Sequence, residues 1–118
     1  MLLRVSNYDC AALALHMSIM RKSFKNLLKV RYKNTAKELL QSYDYVLTIC
    51  RDALDQKLDY TDLHLNITDV DVLHEFLLSY TTKLAPVLDD IQAKDNDKEQ
   101  LQALCKLCSN LQILKISA

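Results

Sequence analysis

The sequence predicts a mainly α fold: a four-helix bundle-like domain with a small two-stranded antiparallel β ribbon. Three observations predict it. Apolar residues recur at steps of three and four over four long stretches; two short stretches, near 2–5 and 63–67, carry strand patterning; and the chain of 118 residues holds no glycine and one proline. A chain of this length buries roughly two thirds of its unfolded surface on folding, enough for one core without disulfides or metal. Residues 1–118 are therefore expected to form a single domain.

The first strand is expected at 2–5. A helix follows over about 8–31, with apolar residues at 13, 17, 20, 24 and 27 and a second row at 8, 12, 15 and 19. Ser6, three residues before Asp9, supplies a start that resembles a capping box. The second helix follows Asn34 and Thr35, with Ala36, Leu39, Tyr43, Val46, Cys50 and Ala53 forming a regular seam. Leu63, Leu65 and Ile67 alternate with His64 and Asn66, the period of a second strand. Helix three is expected after Thr68, with Asp71 three residues on, carrying Leu73, Phe76, Leu77, Tyr80, Leu84, Val87, Leu88 and Ile91. Pro86 lacks a backbone donor and crowds the preceding turn, so a kink or break is expected near Leu84 and Ala85. Helix four is expected from near Asn96 and Asp97, with Leu101, Leu104, Cys105, Cys108 and Leu111 on its apolar face.

The order strand, helix, helix is written twice, which makes a β-α-α repeat of residues 1–60 and 61–118 a candidate. Shifted by 62, Leu3, Val5, Ser6 and Asp9 meet Leu65, Ile67, Thr68 and Asp71; shifted by 61, Tyr43, Val46 and Cys50 meet Leu104, Leu107 and Leu111. Shared capping and packing rules give the same pattern as an old duplication, and the sequence leaves the two readings open.

Several function classes are excluded by composition. Without glycine there is no Walker loop, dinucleotide fingerprint, nucleophile elbow or EF-hand loop, since each needs a backbone position that glycine fills at low cost. The apolar stretch at 10–15 is too short to span a bilayer, and the basic cluster follows it instead of preceding it, so no membrane span and a cytoplasmic location are expected. Cys10, Cys50, Cys105 and Cys108 lie inside helical apolar patterns, which fits reduced thiols. Cys105 and Cys108 have a C-x-x-C spacing, but a zinc site needs two further closely spaced ligands, and a redox pair sits at a helix N-terminus. They are expected as buried small hydrophobes, a metal or redox site being the remote alternative. His16, His64 and His74 have no regular spacing, and His74 is expected to be partly exposed or locally bonded. Tyr43 and Tyr80 fall on apolar seams as core residues. No catalytic residue, cofactor or metal ligand is expected.

The zero net charge conceals a strong polarity. Residues 1–33 hold seven basic and one acidic residue, 34–60 three and five, and 61–118 five and nine. Arg21, Lys22, Lys25, Lys29, Arg31 and Lys33 are the candidate binding residues, with Lys22, Lys25, Lys29 and Lys33 on one helical stripe. Such a stripe serves an acidic protein, nucleic acid phosphates or an anionic membrane, or faces the chain's own acidic half. The expectation is a small non-enzymatic intracellular protein that binds a protein partner or itself, through a strand edge or this helix. A nucleic-acid-associated regulator is the alternative.

Overall fold

A computed structural model of the chain describes residues 1–90 and 94–117. Its elements are β1 (Leu2–Ser6), α1 (Asn7–Arg31), α2 (Ala36–Asp55), β2 (Tyr60–His64), α3 (Ile67–Asp90) and α4 (Asp95–Ser117). Four helices and one two-stranded antiparallel sheet make the fold a mainly α bundle with a β ribbon, as expected. Ile91, assigned above to the apolar row of helix three, lies outside the described residues.

The chain leaves β1 directly into α1 because Ser6 is extended and its hydroxyl accepts a 3.0 Å hydrogen bond from the Asp9 amide. That satisfies one of the donors a helix start leaves open. With 25 residues, α1 is about 37 Å long at 1.5 Å per residue and spans most of the 40 Å long dimension of the molecule. Residues 32–35 reverse the chain into α2, which packs back along α1 and returns to the start of α1, where β2 pairs with β1. The turn after α2 is made without glycine: Lys57 takes the left-handed conformation, φ 55°, that glycine usually fills.

Leu3 faces Leu63, Arg4 faces Asp62 and Val5 faces Thr61 across the ribbon. The ladder continues past the strands, with Met1 and Leu65 exchanging two 2.8 Å backbone bonds and the Asn7 amide donating to Asp59. Leu3, Val5, Leu63 and Leu65 are buried on the inner face, while Arg4 and Asp62 form an ion pair on the outer one.

Three sequence expectations need correction. Strand β2 begins at Tyr60, not Leu63, and Ile67 is not in it but opens α3 half exposed. The cap of α3 is Asn66, not Thr68. The Asp69 amide donates to Asn66 Oδ1 at 2.8 Å, and the Asn66 amide donates to Asp69 Oδ2 at 3.0 Å, a reciprocal capping box that gives buried Asp69 a partner. Buried positions of the two strand–helix units consequently fall 60 apart, as at Leu3 and Leu63, Leu13 and Leu73, or Met17 and Leu77. Helix α3 runs from Ile67 to Asp90 with Pro86 inside it, so the alternative of a break at Leu84 and Ala85 is ruled out. Pro86 and Thr82 are both exposed, so the backbone bond that Pro86 cannot donate is missing on the solvent side of the helix.

The core is centred on four rings. Phe24 of α1 stacks on Tyr43 of α2 at 5.1 Å, and both meet Phe76 of α3 edge-on at 5.4 and 5.5 Å; Phe76 in turn stacks on Tyr80. Tyr43 is fully buried and its hydroxyl donates to the Met17 carbonyl of α1. Burial pushes the Tyr43 phenol well above its ordinary range, so it stays a neutral donor. Helix α4 closes the bundle with Ala103, Leu104, Leu107 and Leu111.

Because a cap removed costs about 1 kcal/mol, Asn66→Ala is expected to lower unfolding stability by about that amount, whereas Thr68→Ala stays within about 0.5 kcal/mol of the parent. Urea denaturation of the two variants checks this. A larger loss in Thr68→Ala than in Asn66→Ala would place the cap at Thr68.

Candidate functional site

The six predicted basic residues separate into two sets. Arg21 grips Asp44 of α2 with two bonds, Nε to Oδ1 at 2.7 Å and Nη2 to Oδ2 at 2.8 Å. Arg31 donates to Glu75 of α3 at 3.0 Å, and the neighbouring Tyr32 hydroxyl donates to the same carboxylate. Its hydrogen bond to Glu75 holds the Tyr32 phenol above its usual range, with slight burial adding to the effect. Both arginines therefore join helices and are not free for a partner. Lys22 is exposed on the same helix, one turn before Lys25, and does not line the groove described next.

Lys25 and Lys29, four apart in α1, share a face of that helix, and Lys33 follows in the reversal after it and lines the same groove. Across the chain reversal, Lys37 of α2 faces the same space. The four lysines surround a groove of about 430 Å³ whose remaining wall is Ala36 and Leu40. No acidic side chain lines it, and none of the four makes an ion pair among the described residues. Lys37 escaped sequence reasoning because it belongs to the next helix; its position four residues after Lys33 was the available signal.

A second concavity, of about 300 Å³, lies between α1 and α3 on another side of α1. Buried Phe24 and Phe76 form its floor, and Met20, Leu27, Val30 and Tyr80 its apolar walls. Its polar lining is Ser23, Asn26, Ser79 and Lys83. The Tyr80 ring is fixed by a relay: its hydroxyl lies 2.7 Å from His16 Nδ1, while His16 Nε2 lies 2.8 Å from Gln100 Oε1 of α4. The Gln100 oxygen only accepts, so His16 donates from Nε2, and in the neutral tautomer this leaves Nδ1 to accept from the Tyr80 hydroxyl. Burial holds the Tyr80 phenol above its usual range.

The strand edges are unequal. In the antiparallel ladder the outward backbone groups of β2 are those of Tyr60, Asp62 and His64, and the Tyr45 hydroxyl of α2 donates to the His64 carbonyl at 3.1 Å. The edge of β2 is thus partly occupied from within, and the outer edge of β1 is short, a form that discourages pairing.

Cys105 is exposed and Cys108 half buried, so the expectation that both are buried is corrected: the packed row of α4 is Leu104, Leu107 and Leu111. Burial raises the Cys108 thiol above its ordinary value, the opposite of a reactive pair. Cys10 and Cys50 are buried together, the Cys10 thiol donating to the Cys50 carbonyl at 3.2 Å. Hydrogen bonding with Cys10 and burial push the Cys50 thiol far up. No group of three or more His, Cys, Asp or Glu side chains among the described residues is arranged to hold a metal ion. No described helix is long and apolar enough to cross a membrane. His74 is half buried, with Lys115 Nζ 3.4 Å from its Nδ1.

No protein-family model, curated protein or solved structure matches this chain.

The Arg21 guanidinium, hydrogen-bonded to Asp44, holds that carboxyl below the usual carboxylate range. A depressed folded-state value stabilises the fold above the unfolded value and the benefit is lost as the pH falls through the folded one. Both side chains are about two fifths exposed, so Arg21→Gln is expected to lower the urea midpoint only slightly at neutral pH. The gap to the parent in urea midpoint should close as the pH falls through and below the ordinary carboxylate range. A gap that persists in acid would mean that Arg21 acts through packing of its stem.

Proposed function

We propose that this chain is a non-enzymatic binding module that takes an acidic segment of a protein partner into the lysine groove between α1 and α2. The observation that carries the reading is the set of four lysines, without ion pairs among the described residues, around about 430 Å³, with Leu40 and Ala36 as the apolar wall. A concave site of this kind suits a short chain bearing two or three carboxylates and a small apolar side chain. Desolvated Leu40 contributes affinity, and the ammonium groups contribute orientation and on-rate.

Two neighbouring readings are weaker for physical reasons. Nucleic acid binding draws on many phosphate contacts, and the two arginines best suited to phosphate are committed to Asp44 and Glu75. Self-association has one observation in its favour: Asp95, Asp97 and Glu99 at the start of α4 are exposed and of the chemistry the groove would accept from a second copy.

Titration calorimetry tests the proposal with an acidic peptide of alternating Glu and Leu and with a single-stranded oligonucleotide of equal charge. The peptide is expected to bind in a salt-sensitive way, and Lys29→Glu with Lys33→Glu to weaken it at least about tenfold. Preference for the oligonucleotide, or peptide binding that survives the double reversal, would overturn the reading. A mass that doubles with concentration and halves on Asp95→Lys with Asp97→Lys would assign the groove to a second copy instead.

A further inference from the structure

We infer that the cleft between α1 and α3 is a binding site for a small amphiphilic carboxylate, an apolar body of about ten carbons carrying one negative charge. The inference is independent of the lysine groove, which faces away on α1: at 100° per residue, Leu27 and Val30 point well away from Lys25 and Lys29.

The first argument is size and lining. About 300 Å³ is the lower end of small-molecule sites and holds roughly a dozen non-hydrogen atoms. It is too little for a helix, and its two buried aromatic floor residues exceed what a solvated furrow needs. The second argument is rigidity. An apolar cleft normally shrinks as its walls relax, but here the walls are tied from behind. Tyr80 is held by His16 and through it by Gln100, Phe76 is stacked on Tyr80, and Phe24 is stacked on Tyr43. A cleft held open in the empty protein spares the ligand the cost of opening it.

The third argument is charge. Lys83 is the one charged residue of the lining, is exposed, and makes no ion pair among the described residues. Ser23, Ser79 and the Asn26 amide add neutral donors. A single cation beside an apolar floor selects a monoanion with an apolar body over a cation of the same shape, and a dianion would leave one charge without a partner.

The test is a chemical-shift titration of the whole chain with decanoate, decylammonium and decanol, each kept below its aggregation threshold. Decanoate is expected to saturate, to shift amides of Met20, Leu27 and Val30 together with those of Phe76, Ser79 and Lys83, and to bind at least about tenfold tighter than decylammonium. In Lys83→Glu that preference should disappear or reverse while decanol affinity changes less than twofold, which shows that the cleft itself survives the substitution. The inference is overturned if decanoate fails to saturate, if its shifts fall elsewhere, if decylammonium binds as well in the parent, or if Lys83→Glu leaves decanoate affinity unchanged.

Discussion

The contact between Tyr43 and its neighbours fixes the rest of the molecule. Its ring lies against Phe24 of α1 and Phe76 of α3, and its hydroxyl satisfies itself on the Met17 carbonyl. One side chain of α2 therefore sets the distance of two other helices. Phe76 passes the constraint to Tyr80, and Tyr80 to His16 and to Gln100 of α4. A leucine at 43 would fill space, but it would specify neither the ring angles nor the polar anchor. Both concavities are by-products of this arrangement. With the rings holding the middle of α1 to its neighbours, a lysine-lined groove remains beside the last turns of α1 and the start of α2, and the side of α1 facing α3 is left incompletely covered.

The division of the basic stripe follows from the chemistry of the two cations. Guanidinium presents a planar fork that matches a carboxylate in two bonds and is weakly hydrated, so Arg21 and Arg31 are found in interhelical pairs. Ammonium is compact and strongly hydrated and holds its water unless an anion is brought to it. The four groove lysines are thus left as an electrostatic surface while the arginines stabilise the fold. This is why a chain of zero net charge still offers a positive region with no compensating carboxylate within it.

Much of the fold was legible because four long apolar rows and one good cap, Ser6, leave little choice. The misreadings have physical reasons. Thr68 and Asn66 are both cap-forming residues, and Ile67 prolongs the strand alternation, so local pattern alone favours the later start; Asp69, whose carboxylate bonds back to the Asn66 amide, decides for the earlier one. In α4 two adjacent rows satisfy helical spacing, and burial selects the leucines over Cys105 because they have more apolar area to remove from water. The first residues of β2, Tyr60 to Asp62, carry no alternating apolar signal, so their pairing with Arg4, Val5 and Ser6 was not visible in the pattern. Within the candidate site, the lysines were visible as a stripe. Which basic residues would be consumed was not, since Asp44 and Glu75 lie 23 and 44 residues away in sequence. The α1–α3 cleft has no sequence signature, because it arises from what two helices fail to cover.

The ribbon has a consequence for the order of assembly. Leu3 is joined to Leu63, and Met1 to Leu65, so closing the ladder restricts a loop of about sixty residues at an entropic cost of roughly 3–4 kcal/mol. Residues 32–35 bring α1 and α2 together at a fraction of that cost. Loop-closure entropy therefore favours pairing α1 with α2 before the ladder closes. Its brief openings would release the β1 backbone and the inner faces of Leu3 and Val5 while the aromatic centre stays intact, so the end of the molecule near Met1 is governed by timing as much as by shape.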